Sequence, residues 1–200
     1  MCLYIKKAKM AFAKIELADP QVNAKGAKFC PLLSEGQKLT KTFGSQQAPL
    51  RSQWGPSCFD NSDSGRKNFD LLCDESMISF LTALDTWAKG YIKEHSQRIL
   101  GKQLTAEQIE DSYRPVLQQK GSYPANLRCK INISGGRKTR LWSTDGTERD
   151  PPDSWQGAMY AARVEFSHLY LMGQRDCGIV VNLTDLQVFD QPVACPFNSP

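Results

Sequence analysis

Leu127 to Arg149, LRCKINISGGRKTRLWSTDGTER, is the stretch whose reading decides the fold. Leu127, Cys129, Ile131 and Ile133 alternate with Arg128, Lys130 and Asn132. A period of two places the apolar set on one face of a strand and the basic set on the other. Ser134-Gly135-Gly136 offers a turn, because glycine takes positive φ without a steric cost. The segment beyond it repeats the alternation: Lys138, Arg140 and Trp142 share one face, Thr139 and Leu141 the other. The sequence therefore predicts a β-hairpin, followed by a second tight turn at Asp145-Gly146 of type I′. Six Lys or Arg stand here against Asp145 and Glu148, a surplus equal to the net charge of +4 of the whole chain. A two-stranded surface of cations and a tryptophan suits phosphates and unstacked bases. A solvated basic face beside a packing tryptophan fits the same pattern.

Upstream of the hairpin lies a helix with its signals intact. Asp74 is an N-cap, Met77, Leu81, Leu84, Ala88, Ile92, His95 and Ile99 form an apolar stripe, and Gly101 sits at a C-terminal stop. His95 on that stripe reads as a core-edge histidine. Thr105 to Gln108 fits a capping box and starts a second, short helix. Arg66 to Asp74 reads as a strand entering the long helix. Residues 10 to 17 read as the first strand. Residues 23 to 64, rich in Gly, Ser, Pro, Gln and Lys, read as a long basic loop with one or two short strands, of which 38 to 43 alternates. Residues 161 to 172 and 178 to 189 are long closing strands. The first bends, because both faces of 169 to 172 are apolar, and the second bulges near Thr184-Asp185, where the apolar phase shifts.

Composition narrows the function classes. At 200 residues and 40% apolar content the chain suits one domain with a core. No apolar run approaches the ~20 residues of a membrane span. Seven cysteines are scattered without a CxxC, and His95 and His168 are the two histidines, so zinc spacing is missing and no metal or cofactor is expected. Reduced thiols fit an intracellular, reducing compartment. No phosphate loop, serine-nucleophile elbow or zinc-protease motif occurs, which argues against an enzyme. Residues 1 to 52 carry nine Lys or Arg against Glu16, Asp19 and Glu35, so two separate basic segments point to a polyanionic partner.

The order strand, loop, strand, helix, short helix, hairpin and two long strands fits a mainly β OB-fold barrel of five or six antiparallel strands with one long inserted helix. In this layout the chain resembles the single-stranded-DNA-binding proteins of podophages and large DNA viruses. The resemblance rests on Asn68-Phe69-Asp70-Leu71 running into the helix, LRCKINI from Leu127, LWSTDG from Leu141, and the ending FSHLYLMGQRDCGIVVNLTDLQV from Phe166. It implies one OB-fold domain over 8 to 190, an irregular tail over 191 to 200, and a non-catalytic protein that coats single-stranded DNA in replication, recombination or repair. It also implies a virus- or phage-infected host cell, with replication proteins or further copies of the chain as possible partners and no membrane. Relatives often end in an acidic tail, whereas the last fifteen residues here hold one acid, Asp190, so the resemblance does not extend to that tail.

The alternation nominates Arg128, Lys130, Lys138 and Arg140 as phosphate contacts and Trp142 as a stacking residue. From the 23 to 64 segment come Lys38, Lys41 and Arg51, with Phe43 and Trp54 as aromatics. Trp54 and Trp155 fit binding or packing equally; Phe166 and Tyr170 fit the core or the binding face. RNA binding by the same fold and a basic face meeting an acidic protein partner are the competing functions.

Overall fold

A computed structural model of the chain describes residues 14–57, 65–152, 154–172 and 176–189. Residues 10 to 13 of the expected first strand, the 58 to 64 part of the expected loop and the 191 to 200 tail lie outside them. The described residues form one curled sheet around a single core, with a long helix packed on its inner side.

Two long strands organise the sheet. β11 (Met159–Met172) and β12 (Asp176–Phe189) pair antiparallel along their whole length. On one side β11 takes β4 (Gln37–Phe43), β3 (Lys28–Ser34) and β5 (Leu50–Arg51); β3 in turn takes β1 (Ile15–Leu17) and β2 (Gln21–Val22). On the other side β12 runs parallel to β9 (Asn126–Asn132), which pairs antiparallel with β6 (Arg66–Leu72). After β5, Ser57 forms an isolated bridge with Asn68 on β6, so the segment 50–57 links the middle strand β11 to the edge strand β6. Beneath it the Phe69 and Tyr160 rings meet edge-on at 5.5 Å, and Trp155 closes over Phe69 at 5.5 Å. Trp155 is therefore a core lid.

Helix α1 (Glu75–Leu100) begins and ends at the expected residues. The Asp74 carboxylate accepts from Met77 N at 2.8 Å, and Gly101 closes the helix at φ 75°. Met77, Leu81, Leu84, Ala88, Ile92 and Ile99 are buried, and His95 sits half-buried against Tyr91. Phe80 joins helix to sheet, touching Phe43 at 5.8 Å and Phe166 at 5.7 Å. Helix α2 (Ala106–Ser112) carries the full capping box between Thr105 and Gln108. β7 (Tyr113–Arg114) and β8 (Leu117–Gln118) follow.

Three expectations are corrected. First, 127 to 142 is not a hairpin. One edge of β9 is taken by β6 and the other meets β12, which leaves none for the residues that follow. β10 (Arg140–Trp142) instead pairs parallel with β12, extending the line of β9 along it. Residues 133–138 form an excursion closed where Thr139 N donates to Asn132 O at 2.8 Å. The buried Thr139 hydroxyl accepts from Asn132 N at 3.1 Å and donates to Leu183 O at 2.7 Å, pinning the excursion to β12. Second, the 23 to 64 segment holds more strand than expected: the strand at 38 to 43 is β4, and β3 and β5 are added to it. β3 and β4 are seven residues each, joined by Glu35 (φ 52°) and Gly36 (φ 72°), a two-residue connection with both φ positive. The described residues accordingly hold twelve strand segments rather than five or six. Third, of Asp145 and Gly146 only the glycine has positive φ (83°). The loop is a type I-like turn closed by Gly146 N to Ser143 O, with Gly146 left-handed after it, and not a type I′ turn.

The expected bulge is present at Thr184, and β11 is irregular at Ser167, just before the expected 169 to 172 bend, of which only one face is buried. The β11–β12 register slips between Phe166 and His168, and again opposite Thr184, whose hydroxyl donates to Arg163 O. The first slip turns the inward set from Ala162, Val164 and Phe166 to Leu169 and Leu171.

Candidate nucleic-acid interface

The inward row of the opening stretch is core: Leu127, Cys129, Ile131 and Leu141 are at most 4% exposed. Their neighbours must then point out, and registry aligns them across the sheet. Asn68 on β6 is opposite Lys130 on β9, Lys130 opposite Asn182 on β12, Asn182 opposite Glu165 on β11, and Glu165 opposite Thr40 on β4. Five strands at the usual spacing make this row about 19 Å wide.

Cations flank the row. Lys130 Nζ donates to Asn68 Oδ1 at 2.6 Å, and Arg66 reaches across to Asn182 Oδ1 at 3.0 Å. Arg128 makes a two-pronged pair with Asp70, both contacts 2.8 Å, and that carboxylate holds the guanidinium pKa above its ordinary value. Lys38 meets Glu165 at 2.9 Å. Arg163, exposed, stands between Thr42 and Asp185 in register. Arg140 pairs with Asp185 at 2.7 Å, while its guanidinium lies 5.3 Å from the Trp142 ring centre. Trp142, half-buried, donates its indole N–H to Asp185 at 3.1 Å. Among the described residues the band around this row thus holds six cations and the carboxylates of Asp70, Glu165 and Asp185.

The structure brings Arg128, Lys130, Arg140, Trp142 and Lys38 onto one surface. Lys138 is exposed on the excursion. Arg51 is exposed on β5, and Trp54, 60% exposed, lies on the segment that spans to β6. Two candidates lie elsewhere. Phe43 is 5% exposed and belongs to the core, because β4 alternates and residue 43 falls on the inward phase. Lys41 shares that phase and extends over the Phe80 ring at 5.3 Å, on the helix side. Phe166 is fully buried, whereas Tyr170, past the slip at Ser167, is half-buried on the outer face. Arg66 and Arg163 were not singled out from the sequence. The signal was available: Arg66 alternates with buried Phe69 and Leu71 in phase, as Arg163 does with Val164 and Phe166.

Among the described residues no three His, Cys, Asp or Glu side chains cluster to hold a metal ion, and no helix is long and apolar enough to cross a membrane.

No family model and no curated protein sequence matches the chain. Solved structures do. The crystal structure of gp2.5, a single-stranded DNA binding protein encoded by bacteriophage T7, superposes with a TM-score of 0.52 at 10% identity, covering 82% of this chain and 98% of the T7 chain. The two chains share a fold. It is the mainly β, OB-type curled half-barrel with one long helix that the strand order predicts. A single-stranded DNA-binding protein from bacteriophage Enc34, in complex with ssDNA, superposes at a TM-score of 0.48 and 9% identity, covering 88% and 98% of the two chains.

Proposed function

We propose that the protein binds single-stranded DNA along the outer face of β6, β9, β12 and β11, without strong sequence preference and without catalysis. The carrying observation is the five-strand row that holds Lys130, flanked by Arg66, Arg128, Arg140, Arg163 and Lys38, with Trp142 beside it on β10. Phosphates take the cations, and a base takes the tryptophan face once Arg140 swings to a phosphate. Every nucleotide offers both groups, so such a face has little to read in sequence. The fold shared with the T7 protein supports the reading, and coating of single strands during replication, recombination or repair inside an infected cell is the role in keeping with it.

Tryptophan fluorescence during titration with oligo-dT at several salt concentrations tests this. Neutralising four to six phosphates gives a slope of log affinity against log salt of about −3 to −4. A flat response rejects the reading. Oligo-U in place of oligo-dT separates RNA from DNA, since only RNA offers a 2′-hydroxyl. One observation favours a second reading, an acidic protein partner: Arg128, Arg140 and Lys38 already take carboxylates. An acidic peptide that competes with oligo-dT at matched ionic strength would support it.

A further inference from the structure

Beyond the cation band, the upper half of the outer face changes character. The slip at Ser167 brings His168 and Tyr170 outward, where β11 pairs with β3. His168 lies opposite Pro31, and its ring meets Phe29 edge-on at 5.1 Å; Tyr170 lies opposite Phe29 on one side and Gly178 on the other. Gly178 is the bare position. A Cβ built there would lie 3.0 Å from the Tyr170 hydroxyl oxygen, 3.1 Å from its Cε1 and 2.8 Å from Arg114 O. The tyrosine ring is therefore laid across the β12 backbone in the space a side chain would fill. The ring stays half-buried there.

Charge lies across β12 from this ring. Arg114, on the strand beside Gly178, pairs with Asp176 at 2.5 Å. Arg128 lies one outward step along β9 from Lys130, abreast of Val180, which is itself opposite His168. A cross-strand tyrosine over glycine also stabilises a sheet by itself. That role does not account for a ring left only half-buried near Arg114, continued by Phe29 and His168 on the same face.

We propose that Tyr170, seated on Gly178, is a stacking site for an unpaired nucleobase, so that a single strand continues from the Lys130 row past His168 to the β3 end of the sheet. This rests on the single-strand-binding reading and extends its path. The ligand class is an unpaired base with its phosphate on Arg128 or Arg114.

The experiment compares wild type, Tyr170→Leu and Tyr170→Phe for affinity to oligo-dT at several salt concentrations, with thermal melts of each. Tyr170→Leu is expected to bind about 5- to 150-fold more weakly with an unchanged salt slope, since it removes a ring and no cation. Tyr170→Phe should stay within about 2-fold, since stacking needs the ring and not the hydroxyl. Photocrosslinking wild type to an oligo-dT carrying 5-iodouracil should attach at Tyr170, a readout that a purely packing tyrosine would not give and that stands if Tyr170→Leu fails to fold. Undiminished binding by folded Tyr170→Leu, or crosslinks that avoid Tyr170, overturns this site while leaving the single-strand reading intact. Failure of wild type to bind oligo-dT overturns that reading itself.

Discussion

The Trp142 indole donates to the Asp185 carboxylate at 3.1 Å across two parallel strands, and the same carboxylate oxygen receives Arg140 at 2.7 Å. Asp185 therefore does two opposed things. It fixes the indole edge-on, and it occupies a cation that a phosphate would otherwise take. Trp142→Ala should weaken oligo-dT binding by about 1–3 kcal/mol with the fold retained. Asp185→Asn keeps an acceptor for the indole and removes the competing charge. It should tighten binding a few-fold at low salt, an advantage that fades as salt screens the phosphates. Fluorescence titrations at two ionic strengths check both; weaker binding by Asp185→Asn at low salt would count against this role.

Lys130 is the cation of the five-strand row, between Asn68 and Asn182. Lys130→Ala should lower affinity for every oligonucleotide sequence alike and make the salt slope shallower by about 0.7, the share of one phosphate on a single strand. A slope unchanged from wild type would remove Lys130 from the path.

Asp85 is 7% exposed and receives the Tyr113 hydroxyl at 2.7 Å, Val116 N at 2.9 Å and Leu117 N at 3.3 Å. It ties α1 to the turn that leads toward β9. Asp85→Ala leaves those donors buried without an acceptor and should cost about 3 kcal/mol in urea unfolding. Burial raises the Asp85 pKa above 3.8 despite these bonds. The folded state therefore binds the proton more readily than the unfolded one in that window. The wild-type advantage over Asp85→Ala should grow as pH falls through the raised value. A stability gap that narrows on acidification contradicts the assignment.

Burial, then the Arg66 charge, holds the His168 imidazole below 6.5, against a smaller upward pull from Glu165. The unfolded state thus binds more protons between the depressed value and 6.5, so stability rises with pH across that window and falls on acidification. His168→Phe keeps a ring against Phe29 and removes the titration. Chemical unfolding followed across about pH 5 to 8 should lose that part of the slope; a profile matching wild type would show that His168 does not cause it.

How much of this was legible in the sequence differs by element. Asp74, Gly101 and the Thr105–Gln108 box set the helix ends through bonds spanning a few residues, so short-range chemistry sufficed. The Thr184 bulge was legible because a bulge must show as a change of apolar phase, whereas the slip at Ser167, which turns His168 and Tyr170 away from the face of Val164 and Phe166, was not, the expected bend lying at 169 to 172. The Glu35-Gly36 connection was missed because glutamate is an unusual residue for positive φ, and a segment crowded with Gly, Ser and Pro hid β3 before it, although the strand after it was read at 38 to 43.

In the opening stretch the division is sharp. Alternation by itself determined that Leu127, Cys129, Ile131 and Leu141 are buried and that Arg128, Lys130 and Arg140 are not, because successive side chains of a strand must take opposite faces. It could not determine the partners. Arg128 meets Asp70, 58 residues earlier, and Trp142 meets Asp185, 43 residues later. A glycine turn is compatible with a hairpin wherever it occurs, but each strand has two edges. Only the folded sheet decided that β6 and β12 take those of β9, which sends Ser134 to Lys138 outward as an excursion and lays β10 along β12.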